Sequence, residues 1–386
     1  MMHTSCFRLL VALTGLTLLL STTAQAIPQY IIYELDGFGG SGNALAVNAS
    51  GQVTGWSRNL SDEPRAYIGD SSGIVDLGTL GGSRSAGFGI NNSGQSVGWS
   101  TIVSGEPHGF IGDASGLIDL GTLDGIAVRR ILDINDSGQV IADSYTTTGD
   151  THAFVGDDDE FTDLGTLGGG FSTAHAINNH EQVTGNSSVT SGDRHAFIGD
   201  ASSGIIDLGT LGGSTSIGND INDSGQVVGV SNLTGDKAQH AFVGDASGLT
   251  DLGSFNGEQG FSTAYGISNS GQVVGNSSIS DQTLAFYWES GLGMLSLNDL
   301  VVDLSGWLTL EHAWSISDNG NYITGTGAHL IRDGDTVSLV RSAFLLERVA
   351  DNDEPPPEPK PVPVPEPSLL SLLFLGLLSS ISRRRS

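Results

Sequence analysis

The chain is short of the side chains from which many catalytic and binding sites are built. Its one cysteine, Cys6, lies in a segment expected to be removed. The mature protein then has no disulfide, no thiolate-bound zinc and no thiol nucleophile. Basic residues are also scarce: 15 Lys and Arg stand against 43 Asp and Glu, a formal charge of −28. Nucleic-acid binding needs clustered cations to displace counterions, so no nucleic-acid partner is expected. Yet only 15% of residues are charged and 38% are apolar, which excludes an acidic disordered coil. No Gly-x-Ser-x-Gly elbow, His-Glu-x-x-His pair or phosphate loop occurs. Between residues 30 and 350 no apolar stripe keeps a helical period over several turns. What the chain has in excess is glycine, 56 of 386 residues, about twice the usual ~7%.

The two ends read as sorting signals. Residues 1–26 combine Arg8, the apolar run Leu9–Leu20 and the small residues Ala24 and Ala26 at −3 and −1 of a cleavage site. This is the pattern of a secretory signal cut by signal peptidase. At the other end, residues 350–364 are acidic and proline-rich and predict a stiff, extended linker. Pro365-Glu366-Pro367 follows, then the apolar stretch Leu369–Ile381 and the basic cluster Arg383, Arg384 and Arg385. From Ser368 to Ser382 a helix reaches only ~22 Å, against a hydrocarbon core of ~30 Å, so it is a marginal permanent anchor. The arginines are expected to stay cytoplasmic while the body faces outward.

That order of parts closely resembles the PEP-CTERM sorting signal of Gram-negative bacteria. The resemblance implies recognition by an exosortase and removal of residues 365–386 near Pro365, Glu366 and Pro367. It also implies membrane contact through the C-terminal helix before processing, and a final place at the cell surface or in the extracellular matrix, among exopolysaccharide and biofilm.

Between the ends the chain repeats itself. Variants of Ile-Asn-Asp-Ser-Gly-Gln-Val-Val-Gly place glutamine at positions 52, 95, 139, 182, 226 and 272, and a degenerate copy puts Asn321 in that slot. A second phrase, His-Ala-Phe-Ile-Gly-Asp, and a third, Asp-Leu-Gly-Thr-Leu-Gly-Gly, recur in step. Each unit reads as four short strands: in the fourth copy Ala174–Asn178, Gln182–Ser187, His195–Gly199 and Ile205–Leu211, with Gly212-Gly213-Ser214 as the link onward. A period near 44 residues with four strands predicts an all-β protein, a seven-bladed β-propeller over residues 27–349. The last unit lacks a fourth strand, and residues 30–36 imitate one. They are therefore expected to complete the seventh blade and close the ring.

The units also resemble the HAF extracellular repeat, on the triplets at His152-Ala153-Phe154, His195-Ala196-Phe197 and His240-Ala241-Phe242. That family brings no catalytic residues to carry over. His108, His152, His195 and His240 recur once per unit, so a hydrogen bond inside each blade fits them better than a shared metal site. Trp56 and Trp99 share a slot that other units fill with Asn186, Val230 or Asn276, and are candidate sugar-stacking residues. Asp157, Asp158, Asp159 and Glu160 break the repeat with extra acid and form the candidate calcium turn, though without the EF-hand pattern. The expected function is a non-enzymatic surface or matrix protein that presents its propeller to polysaccharide or protein. The alternative is an extracellular glycoside hydrolase or lyase, marked by non-repeated carboxylates gathered in a pocket at one mouth of the ring.

Overall fold

A computed structural model of the chain describes residues 26–350, apart from 36, 124, 125, 128, 129, 158, 159, 334 and 335. The chain divides into two compact units, Met1–Arg348 and Val349–Ser386, and the described residues fall almost entirely in the first. Ala24, the Pro-Glu-Pro site, Leu369–Ile381 and the terminal arginines lie outside the described residues, and Ala26 is exposed. Among the described residues no helix is long and apolar enough to cross a membrane.

The body is all-β, with two single-turn 3-10 segments, Gly257–Gln259 and Leu297–Asp299, and no α-helix among the described residues. Its first sheet comprises Gly42–Val47, Val53–Arg58, Pro64–Asp70 and Gly73–Gly78, each antiparallel to the next. The second sheet lies within 81–119, the fifth within 212–251 and the sixth within 262–296, all four-stranded. The third (131–163) and fourth (168–209) are joined by one parallel pair, Thr151↔Phe171, into an eight-stranded sheet. The seventh combines Trp307–Ile316, Tyr322–Asp333 and Thr336–Arg348 with Tyr30–Leu35, which runs antiparallel to the last of these from Tyr30↔Arg348 to Leu35↔Ala343.

The repeated phrases have local causes. In the first turn Asn48 Oδ1 accepts from the backbone N–H of Ser50 and Gln52, each at 3.0 Å, and Gly51 takes φ +79°. Glycine is favoured there because a Cβ strains the left-handed region. The aromatic of the His-Ala-Phe phrase is core: Phe110, Phe197, Phe242, Phe286 and Phe344 are fully buried, as is Tyr67 in the first copy. The cores lie between consecutive sheets. Ala66, Ile68 and Leu77 of the first pack with Ile90 and Phe110 of the second. Ala196 and Ile198 of the fourth pack with Ile221, Val227 and Phe242 of the fifth. Leu35, Ala343 and Leu345 of the seventh pack with Ala44, Val47 and Tyr67 of the first.

Two expectations need correction. The glycines expected to link one unit to the next are themselves strand: the first strand of the fourth sheet is Gly168–Ile177, and that of the fifth is Gly212–Ile221. Gly168 pairs with Val189 and Gly212 with Leu233, so the link is already hydrogen-bonded. The fourth strand accordingly ends at Gly209, where φ is +72°, rather than at Leu211.

Candidate functional site

Two places gather side chains that the repeat does not dictate. The first is a cavity of about 100 Å³ where the turns of the sheets converge. Around it runs a belt of hydrogen bonds between sheets. Asn48 Nδ2 donates to Asn91 O at 3.0 Å, Asn91 to Asn135 O at 3.3 Å and Asn135 to Asn178 O at 3.2 Å. Asn178 donates to Asn222 O at 2.9 Å and Asn222 to Ser268 O at 3.1 Å. The belt continues from Asn269 N–H to Asp318 O at 2.9 Å, and Asn319 Nδ2 donates to Ala49 O at 2.8 Å, back on the first sheet.

Asp133, Asp136, Asp220, Asp223 and Asp318 line this cavity. Asp133 and Asp220 stand where other units have Ala46, Gly89, Ala176, Gly266 or Ser315. Burial pushes Asp133 up to about 7, against backbone N–H groups of Ile177 and Ile134 that favour the charge, and Asp318 adds repulsion. Burial likewise holds Asp220 well above the usual carboxylate range, and the charge of Asp133 adds to this. Both carboxyls are committed to structure. Asp133 Oδ2 accepts from Ile177 N–H at 3.1 Å, and Asp220 Oδ2 accepts from Ile267 N–H at 2.8 Å, each on the next sheet. The cavity has the volume of about three waters at ~30 Å³ each, far below the ~300 Å³ of a small-molecule site.

The second place is a groove of about 650 Å³ across the second, third and fourth sheets. The second sheet contributes Arg84, Trp99 and Thr101, the third Asp143 and Tyr145, with Arg130 just before its first strand, and the fourth Phe171 and Thr173. Tyr145 is 59% exposed. Arg130 reaches Asp143 at 3.1 Å, and Asp143 Oδ1 accepts from Ala174 N–H at 3.1 Å, tying the third sheet to the fourth. Burial raises the Asp143 carboxyl, and the Arg130 guanidinium opposes that rise. The guanidinium of Arg194 lies 4.2 Å from the centre of the Phe171 ring, a cation–π contact. Flat aromatic faces beside fixed charges suit a sugar ring with polar substituents.

The candidate residues are placed unevenly. Trp99 lines the groove, whereas Trp56, half-buried on the first sheet under Arg58 at 5.8 Å, does not. Of the candidate calcium turn, Asp158 and Asp159 lie outside the described residues. Asp157 and Glu160 close a turn in which Glu160 N–H donates to Asp157 Oδ1 at 3.2 Å. Among the described residues no three His, Cys, Asp or Glu side chains come together as a metal group. The repeated histidines pair within their own sheets, His108 Nδ1 with Asp119 and His195 Nδ1 with Asp207, at 2.9 Å at closest. Arg84, Arg130, Tyr145 and Phe171 belong to no repeated phrase and were not foreseen from the sequence. Aligning the units slot by slot would have exposed them as departures from the repeat.

An all-β body of four-stranded antiparallel sheets, packed one against the next, is propeller-like, and known structures of similar shape agree. The puromycin hydrolase S511A mutant complexed with PGG is 11% identical, with a TM-score of 0.51 over 78% of this chain and 52% of that one. A puromycin-hydrolyzing peptidase of Mycobacterium tuberculosis is also 11% identical, with a TM-score of 0.51 over 80% of this chain and 54% of that one. The chain thus spans about half the length of these structures, and at such identity the likeness is one of fold alone. No curated protein matches the chain. Residues 363–386 match the family model of the PEP-CTERM protein-sorting motif. This chain therefore carries an exosortase sorting signal, which marks it for export and surface sorting.

Proposed function

We propose that this is an exported protein that binds rather than catalyses, holding matrix polysaccharide in the groove around Trp99. The proposal includes removal of residues 1–26 by signal peptidase, transient anchoring through the C-terminal helix, and exosortase cleavage at Pro365-Glu366-Pro367. Its body is a closed, seven-bladed propeller of HAF-type repeats. Support for closure comes from the pairing of Tyr30–Leu35 with the last strand, from the core shared by the seventh and first sheets, and from the hydrogen bond from Asn319 to Ala49.

The observation that carries the binding function is the convergence of Trp99, Tyr145 and Phe171 on one open groove. The enzymatic alternative draws on the raised carboxyls of Asp133 and Asp220, but their cavity is too small for a sugar and their oxygens serve neighbouring backbone. The test is retention of the exported protein on exopolysaccharide purified from the producing cells, with reducing-sugar release assayed alongside. Retention without release is expected, and it weakens in Trp99→Ala. Sugar release that Asp133→Asn abolishes overturns the binding reading in favour of hydrolysis or cleavage.

A further inference from the structure

We infer that the groove selects an acidic polysaccharide, one whose sugar rings carry carboxylates, and that Arg84 receives the carboxylate. The inference rests on the proposed polysaccharide binding and adds the ligand class and the residue that sets it.

Most of the arginines with a defined partner are spent on this protein's own acids. Arg58 pairs with Asp62, Arg65 with Asp76, Arg130 with Asp143 and Arg341 with Glu311. In a chain with 43 acids a guanidinium ordinarily finds one. The exposed Arg84 guanidinium has no hydrogen bond or ion pair among the described residues, yet it lines the groove beside Trp99. Its backbone is nonetheless fixed. The N–H groups of Ser83 and Arg84 both donate to Thr101 Oγ1 at 3.1 Å, and Thr101 Oγ1 donates back to Arg84 O at 3.2 Å. A held backbone with an unengaged guanidinium is poised for an external anion, because the planar fork matches a carboxylate through two parallel N–H···O bonds.

The neighbours fix what kind of anion enters. Trp99, half-buried, and Tyr145, largely exposed, both line the groove and have no ring partner among the described residues, so they are available to the C–H face of a sugar. Phe171 is already covered on one side by Arg194, which brings a further positive charge to that end. Arg130 is largely neutralised by Asp143, leaving Arg84 as the dominant free charge of the groove. Glu106 and Asp150, next in sequence to the lining residues Pro107 and Thr151, put acid on the flanking turns. Together with a net charge of −28 they repel a polyanion everywhere else, so an acidic chain is held at one short segment. Binding is then local, modest and salt-sensitive, with about one ion pair at stake.

The test titrates the exported protein calorimetrically with oligogalacturonate and with a neutral cello-oligosaccharide of equal length, at low and at physiological salt. The uronate oligomer is expected to bind at least tenfold more tightly at low salt and to lose part of that margin at higher salt. Arg84→Gln removes about tenfold of the affinity for uronate and leaves the neutral oligomer unchanged. Trp99→Ala weakens both, and Arg65→Gln, on another sheet, weakens neither. Arg84 is exposed, so its variant keeps the fold, and it decides the matter even if Trp99→Ala proves unstable. Equal affinity for the two oligomers, or an Arg84→Gln variant that binds uronate as before, overturns the inference. In that case retention on the native exopolysaccharide still supports polysaccharide binding, whereas loss of retention as well overturns both.

Discussion

Replacing Asp133 with Asn should make the protein more stable at pH 8 and change its stability little at pH 4. Burial raises this carboxyl from 3.8 to about 7, so between those values the native state holds a proton that the unfolded chain has released. Stability from this group is fully present below about pH 4 and is lost as pH rises through about 7. At 1.36 kcal/mol per pH unit, the full cost of the buried charge at high pH is about 4 kcal/mol. Two effects reduce what Asn recovers. The cavity of about 100 Å³ admits a few waters that partly solvate the carboxylate. An amide oxygen also accepts less well than a carboxylate from the N–H groups of Ile177 and Ile134, a loss of about 1 kcal/mol. The balance is a gain of roughly 2 kcal/mol at pH 8 and little change at pH 4, where the native carboxyl is already protonated and neutral. For a body of this size, 2 kcal/mol moves the melting temperature by roughly 3 °C. Melting curves of residues 27–350 and of the variant, taken from pH 4 to pH 8, measure the growth of this difference with pH directly. A variant that is less stable at pH 8 refutes the reasoning, since it means that the charged form is the one the native fold stabilises.

Three other outcomes rest on the same structure. Deleting residues 27–37 exposes the edge of Thr336–Arg348 and removes Leu35 from the core shared with the first sheet, so the protein should melt earlier or aggregate. An unchanged melting curve would argue for an open array. Glu181→Gly should raise stability by up to about 1 kcal/mol in urea unfolding, because Glu181 has φ +65° in a turn slot that other units give to glycine; a neutral or destabilising result would show its side chain to be engaged. In cells with an exosortase, intact mass should show mature protein lacking Arg383, Arg384 and Arg385, and a species that keeps them would leave a plain membrane anchor.

The repeated phrases carried most of the architecture in the sequence, because each acts within a few residues of itself. Asn48 folds its own turn, Gly51 supplies the left-handed step, and the aromatic of His-Ala-Phe alternates into a core that recurs at every step. Strand number, period and the spare N-terminal strand could therefore be read along the chain. The strand bounds were less legible: glycine is a poor strand former, so the sequence reads Gly212-Gly213-Ser214 as a link between units, whereas pairing with the neighbouring strand makes it part of one. The groove was less legible still. Of its residues only Trp99 stands out in the sequence, as a departure from its slot in the repeat; Arg84, Arg130, Tyr145 and Phe171 come from three units, and none is marked as special by its own neighbours in sequence. Only the packing of one sheet on the next brings them to a single opening. The same packing encloses Asp133 and Asp220 in a narrow space and raises their carboxyls. Local hydrogen bonding and alternation are properties of a short segment and survive in the sequence, while solvation and convergence depend on what lies across the space between sheets.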